Sequence, residues 1–285
     1  MIRKEPMADY LAAKEYDSGS DFKSALHSPR HYSYSKTEIS DSTPSMNLGT
    51  MVHTMVLEPD TFKDKYFVWK NSMYPVPDGH PLLKENRKAK VDAEARVIAL
   101  GGALVTEDLF DQAVGMGTSI IANPTAYQMF KDCTHREESI YVTLRMNGIM
   151  RKIRIRPDAY GPNFYISLKT TKDASPNGFV REANNYMYAL SEALYYDIIS
   201  QVMKSITQGY IIAVESAKPY NCAVYDILAD PSFLDYGRYL YKRAIKIITD
   251  TTSTGHRQGY EYFHPEGKSV FSLGVPEYAL KEMKT

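Results

Sequence analysis

The longest helical pattern along the chain runs over residues 179–203, where Tyr186, Ala189, Leu190, Ala193, Leu194 and Ile198 supply one apolar side. Tyr188, Ser191 and Tyr195 line up along another face of the same expected helix. A shorter stripe, Met51, Val52, Met55 and Val56, predicts a helix over 48–58 that Pro59 stops, with His53 off the stripe. Helices are also expected over 84–100, ended by Gly101-Gly102, and over 107–121, capped by Thr106. Asn123-Pro124 opens a shorter one, and Pro231 begins a last helix carrying Leu234, Leu240, Ala244, Ile245 and Ile248. Near the start, Ser20-Asp21 reads as the N-cap of a helix with Phe22, Ala25 and Leu26, ended before Ser28-Pro29.

Period-two alternation marks the strands. Residues 139–145 and 150–156 are joined by Asn147-Gly148, a strong hairpin signal, and 164–169 follow as a third strand. In the second strand Ile153 and Ile155 alternate with Lys152, Arg154 and Arg156, giving one core face and one positive face. Residues 210–214 and 222–227 read as two further strands around Lys218-Pro219, and 67–69 as a short extended run. Residues 31–45, rich in Ser, Thr and Tyr, are expected as a loop closed by Pro44, as is the stretch with Pro75, Pro77 and Pro81. No clear element is expected after residue 251. These signals predict residues 1–18 as a flexible start with at most a short helix around 10–16. A single domain is expected over 19–285: a helical part (19–135), a core (136–250) and a tail packed on it (251–285).

Composition narrows the classes. The 285 residues are 44% hydrophobic, ample for a packed core. Lys and Arg number 34 against 34 Asp and Glu, so nucleic-acid binding would have to rest on local patches such as 84–90 and 151–156. Cys133 and Cys222 belong to no CxxC or Cys/His cluster and read as buried thiols of a reducing compartment, without zinc. There is no run of about 18 apolar residues, and the first residues are charged rather than signal-like, so a cytoplasmic protein with no membrane contact is expected.

The candidate chemistry sits in Arg156-Pro157-Asp158 and Phe164-Tyr165-Ile166-Ser167-Leu168-Lys169-Thr170-Thr171. On a strand Ser167 and Lys169 share one face, and Phe164, Ile166 and Leu168 the other. The pattern resembles the PD-(D/E)XK nuclease motif, with Ser167 where the second acid should be. Leu48-Gly49-Thr50, His53 and Leu57-Glu58-Pro59, with Ser28-Pro29, Tyr32, Glu138-Ser139 and Lys169-Thr170-Thr171, make most of the chain similar to the RecE-type exonucleases of phages and prophages.

That resemblance implies an α/β fold with a mixed central sheet, an antiparallel hairpin, flanking helices and an N-terminal helical cap. It implies a Mg²⁺ or Mn²⁺ site made by His53, Asp158 and position 167, with Lys169 and Asp158 catalytic. The family's Tyr-His-x-Gln helix keeps Tyr188 but has Ala189 for His and Ser191 for Gln. Glu192, one residue past that Gln position, is the favoured replacement for the missing acid, with Glu182 the other candidate. Lys152, Arg154, Arg156, Thr170, Tyr188 and Ser191 are expected to face DNA. The implied activity is metal-dependent exonucleolytic cleavage of DNA in recombination, weakened or sustained by the migrated glutamate. The implied partners are DNA, a single-strand annealing protein and further copies in a ring, in the host cytoplasm if the gene is phage-borne. The alternatives are an inactive nuclease-fold protein that binds DNA or a partner, and an inhibitor occupying a host nuclease complex.

Overall fold

Capping chemistry sets where the helices begin. In the computed structural model, which describes residues 1–38, 43–70, 84–146, 148–255 and 257–275, α1 (Met7–Ala12) precedes α2 (Gly19–His27). Ser18 caps α2 in a reciprocal box with Asp21, two residues ahead of the expected cap. Ser28 and Thr43 cap α3 (Pro29–Thr37) and α4 (Pro44–Leu57), each with proline in the first turn. Hence the expected loop over 31–45 is largely helical: Pro44 opens a helix instead of closing a loop. Pro59 likewise both ends α4 and begins α5 (Pro59–Lys65). The loop with Pro75, Pro77 and Pro81, and Asn147 of the hairpin turn, lie outside the described residues; Gly148, next to Asn147, has φ +80°.

The remaining helices are α6 (Lys84–Ala99), α7 (Glu107–Ala122), α8 (Pro124–Asp132), α9 (Pro176–Asn185), α10 (Tyr188–Met203) and α11 (Pro231–Thr254). The expected single helix over 179–203 is broken into α9 and α10, because Met187 takes the left-handed conformation at φ 50°. The last helix runs to Thr254, where Gly255 at φ +68° closes it. A short 3-10 turn, Tyr260–Phe263, follows. Among the described residues no helix is long and apolar enough to cross a membrane.

The strands are β1 (Ile2–Lys4), β2 (Tyr66–Trp69), β3 (Ala103–Thr106), β4 (His135–Arg136), β5 (Glu138–Met146), β6 (Ile149–Ile155), β7 (Ala159–Tyr160), β8 (Phe164–Thr171), β9 (Gln208–Glu215) and β10 (Cys222–Asp226). A mixed five-stranded sheet has the order β10-β9-β8-β7-β4, with β8 and β9 parallel through the α9–α10 crossover and the other pairs antiparallel. The hairpin β5–β6 forms a separate sheet with β1, and β2–β3 is a two-stranded parallel unit. The N-terminal residues expected to be flexible therefore supply an edge strand, Ile2 opposite Ile140.

Both faces of the five-stranded sheet are covered. Tyr165, Ile211 and Ala213 pack with Leu190, Leu194 and Ile198 of α10, Ala244 and Ile248 of α11, and Phe22 of α2. Ile166, Leu168, Ile212 and Val214 pack with Met51 and Val52 of α4, Met116 and Ile120 of α7, and Phe130 of α8. Strand alternation alone assigns these two sets to opposite layers. Where α11 crosses α10 there is no side chain at Gly237, and a Cβ there would lie 2.0 Å from the Ala189 carbonyl oxygen.

Candidate metal centre and cleft

Asp158 stands between β6 and β7, where Pro157 ends the longer strand and the chain turns toward β8. Its Oδ2 accepts the Leu168 N–H at 2.5 Å, which ties it against the neighbouring strand. From the same strand Lys169 brings Nζ to 4.0 Å from Asp158 Oδ2. Helix α4 carries His53 to this point. Its Nε2–H donates to the Leu168 carbonyl at 3.0 Å, which fixes the tautomer and leaves Nδ1 facing the acids.

Nδ1 lies 3.4 Å from Asp158 Oδ1 and 4.0 Å from Glu137 Oε1. Glu137, at φ 53° between β4 and β5, is held by Arg156 Nε at 2.9 Å. One ligand atom each from His53, Glu137 and Asp158 falls within 4.8 Å of the others. Separations of 3.4 and 4.0 Å are too long for hydrogen bonds, yet they suit donors sharing one ion at about 2.1 Å each. One imidazole with two carboxylates fits a divalent cation.

The electrostatics point the same way. Burial alone would lower the His53 pKa, but Asp158 and Glu137 outweigh it and raise it. Those two acids make Nδ1 a strong site for a positive species. Burial pushes Glu137 up, yet His53 and Arg156 prevail and hold it below the ordinary glutamate range. Lys169 is treated similarly: desolvation lowers it, and Asp158, Glu192 and Tyr188 more than compensate, so it stays an ammonium.

The position of the missing acid is filled from behind. Ser167 is 0% exposed and its Oγ donates to Glu192 Oε2 at 2.8 Å. Tyr165 Oη donates to the same oxygen at 3.2 Å and to the Glu192 carbonyl at 3.0 Å. Glu192 itself is 0% exposed, and its other oxygen, Oε1, is buried without a hydrogen-bond partner. Burial raises its pKa, against the pull of Lys169 and Ser167. Sequence reasoning thus brings Glu192 to Ser167, but neither belongs to the His53, Glu137 and Asp158 set. Glu182 accepts from Thr171 Oγ1 at 2.7 Å at the cleft wall.

Glu137 was missed. The resemblance draws attention to Glu138-Ser139, whereas Glu138 turns away to accept from Tyr160 and His135. The adjacent acid pair before a predicted hairpin was the available signal, and only the left-handed backbone at 137 decides which member faces His53.

The cluster opens into a cleft of about 1300 Å³ between the N-terminal helices, the end of β8 and α10. Thr170, Tyr188 and Ser191 line it. On the basic face of β6, Arg154 and Arg156 also border the cleft, while Lys152 does not. Arg154 is 2% exposed, donates to the Tyr10 carbonyl and stacks 4.8 Å from the Tyr10 ring. Arg156 is engaged by Glu137, Ser139 and the Glu5 carbonyl. Lys152 is exposed over the Tyr16 ring, away from the cleft lining. Strand alternation identified the polar face but not that the N-terminal segment covers it.

A mixed sheet between helical layers, an Asp at the strand turn, Ser-x-Lys on the next strand and a histidine from a flanking helix define a PD-(D/E)XK nuclease-like fold. A family model described as a PDDEXK-like domain of unknown function (DUF3799) matches residues 18–260, and the chain belongs to that family. A crystal structure of a candidate exonuclease from Eubacterium rectale superposes with a TM-score of 0.61 at 14% identity, covering 98% of each chain. The structure of SSO0001, at a TM-score of 0.30 and 12% identity over 93% of this chain and 98% of that one, is too distant to carry an argument. No curated protein matches the chain.

Proposed function

We propose that this protein is a metal-dependent deoxyribonuclease acting on DNA ends, with His53, Glu137 and Asp158 as the cation site and Lys169 as the group that offsets charge on the phosphate. The observation that carries this reading is the convergence of His53, Glu137 and Asp158 in the lining of one large cleft, with Lys169 beside Asp158. A divalent ion held there supplies a Lewis acid toward phosphate oxygen and a water of lowered pKa. The chain's own residues do the rest. Lys169 holds a positive charge where negative charge accumulates during in-line attack, and the Leu168 carbonyl keeps His53 oriented. Asp158 is fixed by a backbone N–H and needs no reorganisation.

Glu192 supports the acid arriving from the helix instead of the strand, since its carboxylate reaches Ser167 and lies within electrostatic reach of Lys169 and Asp158. On this reading the partner is a DNA end, with a single-strand annealing protein taking the product. Ser167 favours one second reading: a binding protein that grips DNA without cutting it.

Digestion of end-labelled linear duplex separates the two. The nuclease reading expects cleavage by wild type, faster with Mn²⁺ than with Mg²⁺, and a loss of about 10²–10³-fold in Glu137→Gln. Intact DNA with both ions, alongside a retained gel shift, would replace it with the binding reading.

A further inference from the structure

Beside the metal cluster lies a cation that the chemistry above does not use. Lys23 projects from α2, whose Gly19 abuts Ser191 of α10, one turn from Tyr188. Its Nζ sits 5.5 Å from the centre of the Tyr188 ring, and Lys169 Nζ sits 5.7 Å from the same centre. Two ammonium groups therefore lie beside one aromatic ring, that of Tyr188, which lines the cleft. Among the described residues no carboxylate forms an ion pair with Lys23, whereas Lys169 has Asp158. Glu192 is the nearby acid: its Oε2 accepts from Ser167 and Tyr165, its Oε1 has no hydrogen-bond partner, and it makes no ion pair with Lys23.

We infer that Lys23, Lys169 and the Tyr188 ring form a phosphate-binding subsite next to the metal cluster, with Lys23 contributing the unneutralised charge that a backbone phosphate of the substrate strand completes. This deepens the nuclease reading and rests on it for the identity of the anion. Like charges gathered beside a ring and left without a counter-ion are costly unless an anion arrives. In keeping with that, burial holds the Lys23 pKa down at about 8, with Lys169 adding to the depression and Glu192 opposing it. An incoming phosphate diester would restore the full charge and accept hydrogen bonds from both ammonium groups. Neither the sequence pattern nor the family motif singles out Lys23, because a lone lysine on an amphipathic helix looks like a solvated residue.

The test measures anisotropy of a labelled duplex with a short overhang, in EDTA so that no cutting occurs, across a salt series, for wild type, Lys23→Met and Lys23→Arg. Lys23→Met should weaken binding about tenfold or more and flatten the log–log salt slope by about 0.7–0.9, the loss of one phosphate contact. Lys23→Arg should stay within about threefold of wild type, because it keeps the charge. A thermal melt of each variant separates lost contact from lost fold: a Lys23→Met protein that melts as wild type yet binds with the same affinity and slope overturns the subsite. Should Lys23→Met bind and cut like wild type, only this inference falls. Wild type that neither binds nor cuts DNA would remove the nuclease reading and the phosphate assignment together.

Discussion

The two faces of β8 carry opposite kinds of residue, one wholly buried and the other opening at Lys169. Toward α4 and α7 the strand presents Ile166 and Leu168, both 0% exposed and packed only against carbon. Toward α10 it presents Tyr165, Ser167 and Lys169, and each polar group there is answered: Tyr165 and Ser167 by Glu192, Lys169 by Asp158. A polar group removed from water costs about 1–3 kcal/mol without a partner, so the second face is possible only because α10 and the β6–β7 turn supply partners. The lesson is that one strand can divide labour by parity, stability on one side and chemistry on the other.

Substitutions on the two faces should therefore fail in different assays. The largest effect expected is Lys169→Met, which should lower cleavage by about 10²–10³-fold while leaving the melting transition nearly in place. A comparable loss of melting temperature would instead make Lys169 a structural residue and dissolve the division. On the other face, Leu168→Ala should cost about 2–5 kcal/mol in denaturant unfolding through the cavity it leaves. Because its backbone holds Asp158 and His53 through N–H and C=O, the folded fraction of that variant should still cut DNA.

A smaller and more diagnostic effect concerns Glu192. Its folded pKa is raised by burial, so its proton is bound more tightly in the native state than in the unfolded chain. Its contribution to stability is thus fully present below the ordinary glutamate pKa and is lost as pH rises through the raised value. Glu192→Gln should accordingly gain on wild type as pH increases from about 4.5, in urea melts at several pH values. A difference that stays flat with pH would show that the carboxylate is charged and satisfied in the native protein.

The parts of this arrangement that could be read from the sequence are those whose geometry is local. Ser167 and Lys169 sharing a face follows from period two, and the His53 helix follows from an apolar stripe of four residues. The rest depends on long-range partners or on backbone angles that no residue type announces. Met187 carries no turn signal, so the break before α10 was invisible, and with it the starting phase of the helix bearing Glu192. Helix α3 was read as a loop because its composition is polar, although Ser28-Pro29 was already a legible cap. Alternation names the arginine face of β6 without naming its cover, and here Tyr10 and Glu5 engage Arg154 and Arg156 where they border the cleft.

The crossing of α10 and α11 at Gly237 has a consequence for tuning the cleft from a distance. A Cβ at 237 would lie 2.0 Å from the Ala189 carbonyl oxygen, three residues before Glu192, so the two helices meet there at a separation that only a glycine allows. A methyl group introduced at 237 would act as a shim, forcing α10 and α11 apart on the helix that carries Glu192 to Ser167.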